Sequence, residues 1–162
     1  MGIAQHTAQY GFAYCALRPL YLWPCNSTVL PPATKWHILM EKIYIETSII
    51  SYLTARPSSN LIAAAWQKET LDWWETQKNR FDLYISNIVT EEAGRGDSEA
   101  AARRLEVLAG LPILPLNEAV VELSKALIQE GGLPAKALDD ALHIALSAVH
   151  GMDYLLTWNL EL

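Results

Sequence analysis

The sequence predicts an α/β fold in which a mainly parallel sheet lies between two layers of helices. Three observations carry that expectation. Short apolar runs that read as strands recur four times from Met40 onward: KIYIE (42–46), DLYIS (82–86), PILPL (112–116) and DYLLTW (153–158). The gaps between them hold longer segments with helical apolar spacing, and such alternation favours a parallel sheet covered on both faces. The chain has 162 residues, 51% of them hydrophobic, which is enough for one domain with a real core.

The elements follow in order. KIYIE is a strand, and Thr47 and Ser48 are placed to cap the helix SIISYL after it. TARPSSN (54–60) is a turn-rich loop. LIAAAWQKETLDWWETQKNRF reads as a long helix with Ile62, Trp66 and Trp73 on one face. After the strand DLYIS, a helix begins near Ile88, carries Glu91 and Glu92, and is broken by GRGDS. SEAAARRLEVLAG is helical and stops at Gly110, and PILPL is a brief third strand. NEAVVELSKALIQEGG is a helix with an Asn cap and a glycine stop at Gly131 and Gly132. ALDDALHIALSAVHG is the last helix, and DYLLTW is the fourth strand.

Charge and composition narrow the possibilities. Residues 1–39 contain Arg18 and Lys35 and no acid, so the remaining 10 basic and 18 acidic residues leave a net of −8 from Met40 onward. If the protein handles a polyanion, a bound cation has to attract it. No stretch approaches the roughly 20 apolar residues of a membrane span. The two cysteines, Cys15 and Cys25, do not suggest a disulfide framework, which fits a cytoplasmic protein. Residues 1–39 hold four prolines and lack steady periodicity. They are expected to be a poorly ordered extension, with the domain running over 40–162.

Glu46 is the first candidate site residue. Ile43, Ile45, Ile49 and Ile50 surround it in sequence, and an isolated carboxylate in apolar surroundings is costly unless paired or bound to metal. It ends the first strand, and ligands in parallel sheets bind beyond the carboxyl ends of strands. Glu91-Glu92 follows the second strand by about a turn, Asp139-Asp140 opens the last helix, and Asn159 follows the fourth strand. Acids at helix starts also serve as caps or dipole partners, so each pair alone has a structural explanation. Together they form an acid cluster that suits hard cations, Mg²⁺ or Mn²⁺, and such ions support phosphodiester hydrolysis. His143 is expected on the polar side of its helix as a structural hydrogen-bonding residue. Arg95, Arg103 and Arg104 are candidate phosphate contacts, with a solvated helix face as the plainer explanation. The Trp66, Trp73 and Trp74 stripe is either core or a stacking platform. A phosphorylated-acid enzyme is disfavoured, because Ser48 stands where such enzymes carry a second Asp.

Four segments, IYIETSIISYL, YISNIVTEEAGRG, GGLPAKALDDALHIALSA and DYLLTWN, resemble those of PIN-domain ribonucleases, specifically the VapC-like toxins of bacterial toxin–antitoxin systems. The resemblance runs from Met40 to the end. It implies a PIN-like three-layer α/β/α fold and a metal-dependent endoribonuclease that hydrolyses RNA, with a cognate antitoxin as protein partner. Carried onto this chain, it makes Glu46, Glu92 and Asp140 the catalytic, metal-holding acids. Thr47 and Ser48, together with Asn159, become substrate-side groups. Glu46 stands where the family usually has Asp. The family's fourth acid has Asn159 or, less well placed, Glu161 in its stead. Family members continue with a further helix and strand, so the chain is expected to be C-terminally incomplete, with an unpaired strand edge open to homodimer formation. A non-catalytic or truncated PIN domain acting as a binding module is the competing expectation.

Overall fold

A computed structural model describes residues 4–7, 13–16, 40–130 and 133–159. Most of the expected extension over 1–39, Cys25, the glycine stop at 131–132 and Glu161 lie outside the described residues. Two short strands, β1 (Ala4–Thr7) and β2 (Ala13–Ala16), precede β3 (Glu41–Ile45), β4 (Phe81–Ser86), β5 (Ile113–Leu114) and β6 (Tyr154–Thr157). Among the described residues, six α-helices complete the order: α1 (Thr47–Thr54), α2 (Leu61–Thr76), α3 (Asn87–Ala93), α4 (Ser98–Leu108), α5 (Glu118–Gln129) and α6 (Leu138–Val149).

The four strands expected from the sequence are all present and mutually parallel, in spatial order β6-β3-β4-β5. The α/β architecture with helix-covered parallel strands therefore holds. The third strand shrinks to two residues, because Pro112 and Pro115 flank it and proline cannot donate to a ladder. Beyond the expected elements, β2 runs antiparallel along β6 and β1 along β2. The edge of β6 expected to be unpaired thus carries a partner.

Burial explains why the central strand reads as an unbroken apolar run. Ile43, Tyr44 and Ile45 are fully buried, and Trp73, Ile85, Val89, Leu146 and Leu156 join them in one core. The α2 stripe is only partly core-facing: Trp73 is buried and Trp66 half-buried, while Ile62 is exposed in the first turn. Trp66 stacks on Trp158, just past β6, with ring centroids 5.3 Å apart. Trp158 Nε1 donates to Thr70 Oγ1 at 2.8 Å, which ties the end of β6 to α2.

Connectivity places the site. From β3 the chain passes through α1 and α2 to β4 on one side, whereas β6, reached through α6, lies on the other side of β3. The strand order therefore reverses beside β3, and a crevice opens at the carboxyl ends of β3 and β6. Glu46 follows β3 directly, and its N–H donates to Leu156 O at 3.0 Å, which fixes it against β6.

Candidate metal centre

Glu46 is the N-cap of α1, a role the sequence assigned to Thr47 and Ser48. Its extended backbone (φ −86°, ψ 158°) lets Oε2 accept from Ser48 N–H at 3.0 Å. The same oxygen accepts from Ser48 Oγ and, at 2.9 Å, from Thr157 Oγ1. The extra methylene of glutamate is used to curl the carboxylate back over its own helix start. The structural and functional explanations of Glu46 are therefore compatible.

Glu92 lies in the last turn of α3, half-buried, whereas Glu91 points to solvent. Thr47 Oγ1 donates to Glu92 Oε2, and His143 Nε2 stands 3.5 Å from the same oxygen. His143 holds the Glu92 carboxyl below its ordinary range, and the Thr47 hydroxyl acts in the same direction against partial burial. Asp140 lies in the first turn of α6, half-buried beside exposed Asp139. No side chain caps that helix, so both acids also complement its dipole. Partial burial raises the Asp140 carboxyl, with repulsion from Glu46, Asp139 and Glu92 adding to it and His143 opposing it. Asn159 Nδ2 donates to Asp140 Oδ1 at 2.6 Å.

His143 is not on the polar side of α6. It is only 3% exposed and faces the sheet, with Nδ1 2.8 Å from the hydroxyl of Tyr44. Its expected role as a hydrogen-bonding residue stands, but its position is interior. Spacing from Asp140 suggested a solvated face; the packing of α6 across the sheet turns this residue inward instead.

One potential ligand atom from each of Glu46, Glu92 and His143 lies within 4.8 Å of the other two. Asp140 and Asn159 join Glu46, His143, Ile144, Leu155 and Thr157 around a cleft of about 20 Å³, enough for a water-sized guest. Two carboxylates this close repel each other unless a proton or cation lies between them. Two carboxylates with an imidazole in reach, and a third carboxylate on the rim of the same cleft, fit a divalent cation.

The substrate-side expectations meet a specific geometry. Thr47 and Ser48 direct their hydroxyls at Glu92 and Glu46, and Ser48 Oγ also accepts from Trp158 N–H at 2.9 Å. Thr157, which sequence reasoning passed over, belongs to the site: besides bonding Glu46, its Oγ1 accepts from Asn159 N–H at 2.8 Å. Its one sequence signal is a hydroxyl in an otherwise apolar strand end. Arg103 and Arg104 are committed to the scaffold. Arg103 Nε donates to Thr54 O at 3.2 Å, and Arg104 bonds Ala93 O and Arg95 O at 2.8 and 2.6 Å.

The fold, the crevice and the acid cluster define a class of protein. The chain matches the PIN domain over residues 43–161 and belongs to that family, whose members are generally metal-dependent nucleases. No curated protein resembles the chain closely enough to count as a match.

Proposed function

We propose that this protein is a Mg²⁺- or Mn²⁺-dependent endoribonuclease, the toxin component of a toxin–antitoxin pair, acting in the cytoplasm through a domain that begins at Met40. The observation that carries the proposal is the approach of Glu46 and Glu92 within 4.8 Å, from two separate segments, at the reversal point of a PIN-domain sheet. Glu46, Glu92 and Asp140 would hold the cation, which supplies polarisation of a phosphoryl oxygen and activation of water. The chain's own groups orient the site. Ser48 and Thr157 fix the Glu46 carboxylate, Thr47 fixes that of Glu92, and Asn159 steadies Asp140 at the half-exposed mouth of the cleft. Thr47, Ser48 and Asn159 are proposed as the polar groups that meet an incoming phosphodiester.

The antitoxin is proposed as a protein that covers the mouth of this acidic cleft. The exposed side chains of Leu61, Ile62 and Leu71 on α2 support self-association into a homodimer. The alternative reading, a non-catalytic binding module, is favoured by Asn159, which supplies an amide where a fourth acid would add charge.

The test is cleavage of labelled RNA by the purified protein with Mg²⁺ or Mn²⁺, with EDTA, and with the Asp140→Asn variant. Cleavage that needs the cation and collapses in the variant is the expected result. Tight RNA binding without cleavage would favour the binding module, and cleavage in EDTA would overturn the metal-dependent reading. Rescue of growth by a neighbouring small reading frame would identify the antitoxin.

A further inference from the structure

Beneath Glu92 runs a line of hydrogen bonds that the proposed chemistry leaves unused. Val89 N–H reaches Ser86 Oγ at 3.4 Å, Ser86 Oγ lies 2.7 Å from Tyr44 Oη, and Tyr44 Oη lies 2.8 Å from His143 Nδ1. On the far side of the same ring, Nε2 faces Glu92 Oε2 at 3.5 Å. Ser86, Tyr44 and His143 are 1%, 0% and 3% exposed, so water does not compete for these groups. The Tyr44 and His143 rings pack with centroids 5.8 Å apart, which limits the freedom of the imidazole to turn.

The carboxylate decides the direction of the line. An ionised oxygen only accepts, so the ring proton belongs on Nε2. A neutral ring then offers Nδ1 as acceptor to the Tyr44 O–H, and Tyr44 accepts from Ser86. The reverse tautomer would set a bare nitrogen lone pair against Glu92 Oε2. The line starts at Ser86, the N-cap of α3, and returns through β3 and α6 to Glu92 in the last turn of the same helix. Glu46 receives three hydrogen bonds on one oxygen. Among the described residues, Glu92 has the Thr47 hydroxyl and this imidazole.

We propose that His143 is a positioning residue: held by Tyr44 and Ser86, its Nε2–H keeps Glu92 Oε2 turned towards Glu46, so that one cation meets both carboxylates. The proposal rests on the cation-binding reading of the site. It assigns the imidazole to the support of a ligand and not to the ligand set. Partners that orient a metal ligand typically alter metal affinity by about 10–100-fold when removed.

Mn²⁺ is the probe, with its free and bound forms counted by electron paramagnetic resonance on the full chain. His143→Leu should weaken Mn²⁺ binding about tenfold or more. His143→Gln, whose side-chain amide can still donate to Glu92, should recover part of that loss. Tyr44→Phe keeps the ring and removes one oxygen, and it should weaken binding by a smaller factor; it carries the test if His143→Leu fails to fold. Bound Mn²⁺ should show no ¹⁴N coupling. Lower metal-free melting temperatures with unchanged Mn²⁺ affinity would mark a purely structural network and overturn the proposal. A ¹⁴N coupling lost in His143→Leu would also overturn it, by making the imidazole a ligand. A parent protein that binds no Mn²⁺ would instead sink the cation-binding reading itself.

Discussion

Asp140→Asn should stabilise the metal-free protein and destabilise the cation-loaded one. Partial burial raises the Asp140 carboxyl, and repulsion from Glu46, Asp139 and Glu92 adds to the effect. A carboxyl raised on folding binds its proton more tightly in the native state than in the unfolded chain. Its cost is therefore absent below the unfolded value near 3.8 and grows as pH rises through the folded value, so at pH 7 it is fully present. Asparagine removes that charge and can still accept from Asn159 Nδ2. Because the group is partly solvated, the gain is only about 0.5–1 kcal/mol. For a domain of this size that corresponds to about 1–4 °C in melting temperature. With cation the order reverses. A parent protein at a cation concentration 100 times its Kd gains about 2.7 kcal/mol, whereas a variant bound 100-fold more weakly gains about 0.4 kcal/mol. Thermal melts of both proteins across a Mg²⁺ titration should therefore cross. Parallel curves, or a variant that melts lower without metal, would refute the reasoning.

Three further outcomes are expected. Glu92 has a lowered carboxyl, so its ionised form adds stability above the unfolded value near 4.5 that is lost as pH falls through the folded value; Glu92→Gln should be less stable at pH 7, with the gap closing in urea melts below about pH 4.5. Thr157→Val preserves shape but deletes the bonds to Glu46 and Asn159, and it should cost about 1–3 kcal/mol in urea unfolding and weaken Mg²⁺ binding. Deleting residues 1–39 removes the partner of β6 but none of the site residues, so the Mg²⁺-induced rise in melting temperature should survive; its disappearance would move the domain boundary upstream.

The strands were legible because burial on both faces writes itself as uninterrupted runs, as in Ile43-Tyr44-Ile45. Glu46 was legible for the converse reason, as a charge placed where such a run should continue. What the sequence did not carry was direction across the sheet. Tyr44 reads as one more apolar strand residue, and nothing local says that its hydroxyl meets His143, ninety-nine positions later. Thr157 was missed likewise, because its partner Glu46 is brought to it only by the parallel pairing of β3 and β6. Glu92 was singled out over Glu91 by the resemblance alone; periodicity did not separate them, because that depends on how α3 is rotated over β4, which leaves Glu91 exposed and Glu92 half-buried.

The three acids come from the ends of three different elements, at positions 46, 92 and 140: the pairing of β3 with β4 brings Glu46 and Glu92 together, and Asp140 on α6 joins Glu46 around the cleft beside β6. An unfolded chain presents them far apart, with no common site. A cation held by all three acids has its full set of ligands only in the completed sheet, so it stabilises the finished arrangement. Stabilisation of that kind acts on the rate of leaving the native state, not on the rate of reaching it. The bound ion would then serve as a latch on the finished sheet: the loaded protein would open slowly, and a chain synthesised without it would fold at nearly its ordinary speed.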